Sequence, residues 1–363
     1  MRHYVRDLRE LYMKNAHGGN IYRDPVKLDY SVNLNPLGTP KSVIQAAASG
    51  ASELWRYPDP EQTSLRRALA EVLNIPKDYL IFGNGAAELI DSYVSALKPA
   101  RVLVPEPSFS EYRRALEAHG SQVVELPLLP EEAFCLPEDR LQERLSDGDI
   151  SVVMLCSPNN PNGSMISPDV LHKILTACLE KKVHVFLDEC FIMLSDYPEN
   201  AVGGELLESF PNLFVLRSFT KSFAVPGLRL GYGMTADSGL LMAMRKTVQP
   251  WNISVPAEKA GIAALQETAY LEKAVRVIRQ ERCYLEACLQ DHGFSVYLSE
   301  SNYLLFQAPK WLCARLLERG ILIRDCANYR GLSEGWFRIA VRRHEDNLVL
   351  AKALDEICGS AES

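Results

Sequence analysis

The residues of this chain that could do covalent chemistry gather around Lys221. It sits in Leu216-Arg217-Ser218-Phe219-Thr220-Lys221-Ser222-Phe223, with the Ser218 and Thr220 hydroxyls just before it and Arg229 just after it, in Pro226-Gly227-Leu228-Arg229-Leu230-Gly231-Tyr232. An amine, two hydroxyls and a guanidinium at one strand end suit an aldehyde that carries a phosphate: the amine forms a Schiff base and the others hold the anion. Asp188 ends the apolar run Val183–Leu187. Such a carboxylate is as consistent with capping the next segment, but inside a pocket it holds a positive charge on a ligand. Gly83-Asn84-Gly85-Ala86-Ala87 precedes a helical stretch, and small residues there let backbone N–H groups approach a phosphate, although a plain Asn-Gly turn reads the same way. A dinucleotide fingerprint does not fit, because Glu88 stands in place of the third glycine, and no GK[ST] follows to make a P-loop.

The elements that must position these residues are legible as short β-branched runs ending in turn residues. They are Tyr79–Phe82, Arg101–Val104, Gln122–Leu126, Ile150–Cys156, Val183–Leu187, Leu213–Arg217 and Leu228–Gly233. Stretches of helical period lie between them, among them 86–98, 109–119 and 167–181, the last with Ser167 as N-cap and Pro168 in its first turn. Strands alternating with helices predict an α/β fold: a mostly parallel sheet covered on both faces, with ligands beyond the carboxyl ends of its strands. After a long helical region at about 256–292, the runs Phe294–Leu298, Tyr303–Phe306, Ile321–Ile323 and Trp336–Val341 predict a smaller α+β unit. The expected division is a large domain over 41–250 and a second unit made of 1–40 and 251–363.

Composition narrows the function. Of 363 residues, 47% are hydrophobic and 23% charged, which excludes a disordered chain. The formal net charge of −7 argues against a nucleic-acid partner. Nine cysteines, an odd number without CxxC, are expected to be buried reduced thiols of a cytoplasmic protein. The seven histidines lack metal spacing, so no metal is expected. No apolar stretch reaches the ~20 residues that span a bilayer, and the charged start MRHYVRDLRELYMKN does not read as a signal peptide. The triplets at 162–164 and 252–254 are then not glycosylation acceptors.

Taken together, these motifs resemble the pyridoxal-phosphate enzymes of aspartate-aminotransferase-like fold, over about residue 17 to the end. The resemblance implies a large three-layer αβα domain with a mostly parallel seven-stranded sheet, a smaller α+β domain, and pyridoxal 5′-phosphate as cofactor. It implies Lys221 as the Schiff-base lysine, Asp188 as partner of the pyridine nitrogen, Asn160 as partner of the ring 3′-oxygen, and Phe109 as the ring's stacking partner. Gly85, Ala86, Ala87, Ser218, Thr220 and Arg229 are implied to hold the cofactor phosphate. Tyr57 is implied to reach it across a homodimer interface, and Arg338 to bind a substrate acid group.

Two branches of the family are similar to this chain: phosphothreonine decarboxylases of cobalamin biosynthesis and histidinol-phosphate aminotransferases. The decarboxylase branch is the more similar at His17-Gly18-Gly19-Asn20, at 220–232, at Gln249-Pro250-Trp251-Asn252 and at 321–332. It also resembles this chain in having phenylalanine at Phe191, where aminotransferases of the fold usually place a tyrosine donor. Asn162 replaces a common threonine, with little consequence expected. The adjacent glycines of His17–Asn20 could form a nest of N–H groups for an anion, or simply pack over the entrance. With Arg324, Arg338 and Asn160, this segment is the expected grip on a small phosphorylated amino acid.

Overall fold

A computed structural model describes residues 17–22 and 25–359. All seven runs of the large domain form strands of one sheet. The strands are β2 (Leu80–Gly83), β3 (Arg101–Glu106), β4 (Gln122–Pro127), β5 (Val152–Cys156), β6 (His184–Asp188), β7 (Leu213–Ser218) and β8 (Gly231–Met234), after a short β1 (Leu28–Asp29). Their order is β2-β8-β7-β6-β5-β3-β4, and only β8 runs against its neighbours. β8 begins later than the apolar pattern suggests, because Pro226–Leu228 forms a 3-10 turn and Arg229 follows in the left-handed region at φ 56°.

Side-chain alternation explains the layers. Val185 and Leu187 of β6, Leu213 and Val215 of β7, and Val153 and Leu155 of β5 enter one core. Phe186, Phe214, Leu216, Val152 and Met154, which point the other way, enter a second core. Both faces are therefore covered, giving three layers around an α/β sheet of the aspartate-aminotransferase-like kind.

The C-terminal unit carries β9 (Ser295–Val296), β10 (Tyr303–Gln307), β11 (Ile321–Leu322), β12 (Arg324–Asp325) and β13 (Trp336–Ala340). β12-β13-β10-β9 is antiparallel, and β1 pairs with β11 in parallel. That pairing, with the Tyr30 hydroxyl donating to Asn347 Oδ1 at 3.1 Å, ties the segment before the large sheet to the C-terminal unit. The long helical region is two helices, Val255–Ala264 and Thr268–Asp291. The first packs Ala257, Ala260 and Ala264 into the core that holds Val43 and Leu65. Its approach to the helix Lys41–Ala51 is so close that a Cβ on Gly50 would lie 2.6 Å from Pro256 Cα.

The cysteines divide: Cys156, Cys178, Cys190 and Cys326 are buried, whereas Cys135 and Cys283 are exposed, which corrects the expectation of burial for those two. Among the described residues no helix is long and apolar enough to cross a membrane, and no cluster of three or more His, Cys, Asp or Glu side chains is placed to hold a metal.

Candidate active site

The carboxyl ends of β2, β3, β5, β6 and β7 open on one cleft of about 970 Å³, its mouth included, closed from the other side by the C-terminal unit and by residues 17–18 and 31–33. Lys221 stands in a one-turn helix, Phe219–Ser222, directly after β7, where Ser218 Oγ accepts the Thr220 N–H at 3.1 Å. Its carbonyl accepts the Asn35 N–H at 3.1 Å, and the Asn35 amide donates to Ser222 O at 2.8 Å, so the segment 31–35 braces the lysine turn. Burial, with Arg338 and Arg229 nearby, pulls the Lys221 amine down to about 8, which raises the share of nucleophilic free base at neutral pH.

Asp188 ends β6 and is buried. Its Oδ1 accepts the Cys190 N–H at 2.8 Å, and its Oδ2 accepts the Tyr112 hydroxyl at 2.6 Å. Burial raises its pKa above the ordinary carboxylate value, and those two donors pull the other way. Tyr112 was not foreseen from sequence. The signal was present, since it lies one helical turn beyond Phe109, in the helix Ser110–Ala118, and shares the cleft face with it.

The phosphate-sized corner lies between the helix Ala86–Leu97 and Arg229. Gly85 has φ 78° and ψ 166°, a region open essentially to glycine alone. A Cβ there would collide with the Arg229 guanidinium, so the missing side chain is what admits the cation. Gly85 itself stands behind the lining, while Ala86, Ala87, Ser218, Thr220 and Arg229 form it. Glu88 anchors the corner from behind, accepting the Asn84 N–H at 2.6 Å and the Asn252 amide at 2.7 Å.

Across the cleft, Arg338 on β13 is buried and forks between Asn160 Oδ1 and Ser31 O, the latter at 2.8 Å. Arg324 on β12 donates to Asn328 Oδ1 and Asp325 O, both at 2.7 Å, and its guanidinium lies 5.2 Å from the Tyr329 ring centre. The register pairs Arg324 with Arg338 directly across two strands, which sets the two cations side by side. The Tyr329 hydroxyl also donates to Asn160 Oδ1 at 3.4 Å, a second cleft residue that the motifs did not single out. Phe191 lines the cleft with its ring against Tyr303, centres 5.0 Å apart, and 5.8 Å from Lys221 Nζ. Asn162 is wholly buried: it accepts from the Asn159 amide at 2.7 Å and donates to Ser164 Oγ at 2.8 Å, holding the turn that presents Asn160.

One expected arrangement differs. In His17–Asn20, only His17 and Gly18 line the cleft. The Gly19 N–H is engaged by Ser31 Oγ at 2.7 Å, so it is not part of a nest open to an anion; a Cβ on Gly18 would strike the Ser31 carbonyl, so that glycine serves close approach. His17 Nε2 pairs with Glu111 Oε1 at 2.9 Å. Tyr57, expected to act across a homodimer interface, lies outside this chain's own cleft, 76% exposed, its ring 4.8 Å from that of Trp251.

The cleft therefore offers a depressed lysine, a buried carboxylate, an aromatic face at Phe109 and two cationic ends. This donor set fits pyridoxal 5′-phosphate, with Arg229 and the Gly85–Ala87 turn for its phosphate. A family model for aminotransferase class I and II matches residues 25–354, and the chain belongs to that family. Pyridoxal 5′-phosphate is the cofactor expected of such an enzyme. The chain is 35% identical over 355 residues to the threonine-phosphate decarboxylase of Salmonella typhimurium, covering 94% of this chain and 96% of that one. It is 31% identical to the histidinol-phosphate aminotransferase of Symbiobacterium thermophilum, covering 93% and 91%. Among solved structures, the histidinol-phosphate aminotransferase of Clostridium acetobutylicum superposes with a TM-score of 0.85 at 32% identity, covering 92% of this chain and 99% of that one.

Proposed function

We propose that this member of the aminotransferase class I and II family removes the carboxyl group of O-phospho-L-threonine, or of a close phosphorylated amino acid, to leave an amino-alcohol phosphate. The observation that supports this reading is the two-ended charge of the cleft. Arg229 serves the cofactor phosphate, and the buried pair Arg324 and Arg338 is left for a substrate with an anionic group of its own. The similarity to threonine-phosphate decarboxylase over nearly the whole of both chains points the same way.

When bound, the cofactor supplies a sink for the electron pair left on Cα by the bond that breaks. Lys221 would hold the cofactor aldehyde and, once freed, would return a proton to Cα, directly or through a water. Tyr112 and the Cys190 N–H favour the charged form of Asp188 against its burial, and that carboxylate would keep a proton at the ring nitrogen. Asn160 would meet the ring 3′-oxygen and Phe109 would cover the ring face. Arg324 and Arg338 fix the far end of the substrate, which decides which bond at Cα stands ready to break. CO₂ leaves with no net oxidation, and the Cα–carboxylate bond is replaced by a Cα–H bond.

Transamination of a phosphorylated substrate such as histidinol phosphate is the second reading, supported by the similarity to histidinol-phosphate aminotransferases. Purified holoenzyme given phosphothreonine should release CO₂. Absence of CO₂, with amino transfer to or from glutamate instead, would establish the second reading. We also propose a cytoplasmic homodimer, with supply of the product to cobamide assembly. Leu54, Trp55, Tyr57 and Trp251, all exposed here, are the surface offered to the second copy. Tyr57 would reach its partner's cofactor phosphate. The division into a domain over 41–250 and a second unit from 1–40 and 251–363 belongs to the same reading.

A further inference from the structure

We infer that Glu106 is a positioning residue, whose ionised carboxylate holds the turn that lays Phe109 over the cofactor ring. Glu106 ends β3, and the turn 106–109 leads into the helix Ser110–Ala118. Its Oε2 accepts the Ser108 N–H at 2.9 Å and the Ser108 hydroxyl at 3.3 Å. Ser108 is buried and directly precedes Phe109, which lines the cleft. The Phe109 carbonyl then accepts the Tyr112 N–H at 3.2 Å, and the two rings meet edge to face, centres 5.7 Å apart. The tie on Ser108 thus bears on the ring-face residue and on the tyrosine that reaches Asp188. Pro107 O is held separately, by the Asn159 amide at 3.0 Å, so the turn keeps its outline without Glu106.

A turn alone does not call for a charge at this place. Glu106 is buried, and the guanidinium that faces it, Arg113 at 3.3 Å, also serves Glu117 at 3.5 Å and Glu125 at 2.6 Å. Burial pushes the Glu106 carboxyl up to about 7, and Arg113 and the Ser108 N–H offset only part of this. Charged and titratable groups face it from three elements. They are Arg113, Arg114 and Glu117 of the helix Ser110–Ala118, Glu125 of β4, and Tyr329 and Arg330 of the C-terminal unit. An ionised carboxylate here therefore lowers stability at neutral pH. What the charge supplies is a stronger hydrogen bond to the Ser108 N–H than a neutral oxygen would accept. Glu106 opens on a second cavity, shared with Arg113 and Arg330, so it acts through the turn and not by touching the cofactor. The inference rests on the proposed role of Phe109, whichever bond at Cα breaks.

Equilibrium dialysis of pyridoxal 5′-phosphate against the apoenzyme tests both. Phe109→Leu should weaken binding by about three- to ten-fold, the loss of a ring-on-ring contact. Glu106→Gln should weaken it by about three-fold at about pH 8.5 and leave it unchanged at about pH 5.5, where both proteins carry a neutral side chain. With leucine already at 109, Glu106→Gln should have no further effect at either pH. Melting of the ligand-free protein should show the opposite sign. Because the carboxyl is raised, its contribution to stability is lost as pH climbs from 4.5 through about 7. Glu106→Gln should therefore melt higher than the unsubstituted protein at about pH 8.5. Glu106→Ala takes its place in the dialysis if the glutamine variant does not fold. A loss of affinity that persists with leucine at 109, or no loss in alkali, overturns the inference. A lower melting temperature in alkali marks a structural tie and overturns it too. If Phe109→Leu binds the cofactor fully, the ring-face reading is what fails, and the inference falls with it.

Discussion

Tyr112→Phe removes a single oxygen, and its consequences can be worked out from Asp188. That carboxylate is buried and has two protein donors, the Cys190 N–H at 2.8 Å and the Tyr112 hydroxyl at 2.6 Å. A hydrogen bond to a charged group contributes roughly 1.5–3 kcal/mol, so its loss weakens retention of ionised Asp188 about ten- to 150-fold. The proposed partner of Asp188 is the cofactor's protonated ring nitrogen. Cofactor affinity, measured by equilibrium dialysis of pyridoxal 5′-phosphate against the apoenzyme, should therefore fall by up to that factor.

The ligand-free protein gives an independent check. Burial already raises the Asp188 pKa above its ordinary value of 3.8, so this group's contribution to stability is present in acid and is lost as pH rises. Removing the phenol raises it further. The melting temperature of Tyr112→Phe should thus trail that of the unsubstituted protein by more at neutral pH than in acid. A deficit independent of pH, with unchanged cofactor affinity, would refute the reasoning and reduce Tyr112 to a packing residue.

Other outcomes follow from the same geometry. The Lys221 amine is pulled down to about 8 from 10.5; the unfolded chain binds the extra proton in that interval, so ligand-free stability should rise with pH from about 8 to 10.5 and flatten below it. In Lys221→Ala this rise disappears, and so does the visible absorbance of the loaded protein. Gly85→Ala forces a side chain into backbone space that costs about 1–3 kcal/mol and displaces Arg229, so cofactor phosphate affinity should drop, which titration with pyridoxal phosphate against unphosphorylated pyridoxal would isolate. Arg338→Lys keeps the charge but loses the fork, and steady-state kinetics should show KM rising roughly ten- to 100-fold for the phosphorylated substrate. Arg338→Met should in addition raise the Lys221 pKa, visible as a shift in the pH profile of cofactor loading.

Much of this protein is written locally. The strands follow from apolar runs, most of them buried on two faces with β4 at the exposed edge, and Ser167 caps its helix as its type demands, accepting the Val170 N–H at 3.4 Å. Lys221, Asp188, Asn160 and the Gly85–Ala87 turn draw attention in the sequence because each lies at or shortly after the end of a strand, where such a sheet exposes its ligands. What tertiary structure decided is pairing between distant segments. Tyr112 reaches Asp188 across 76 residues of chain, and Arg338 reaches Ser31 across 307; no periodicity encodes either partner. The His17–Asn20 glycines look like an anion nest locally, but the Ser31 hydroxyl takes the Gly19 N–H once the two segments meet.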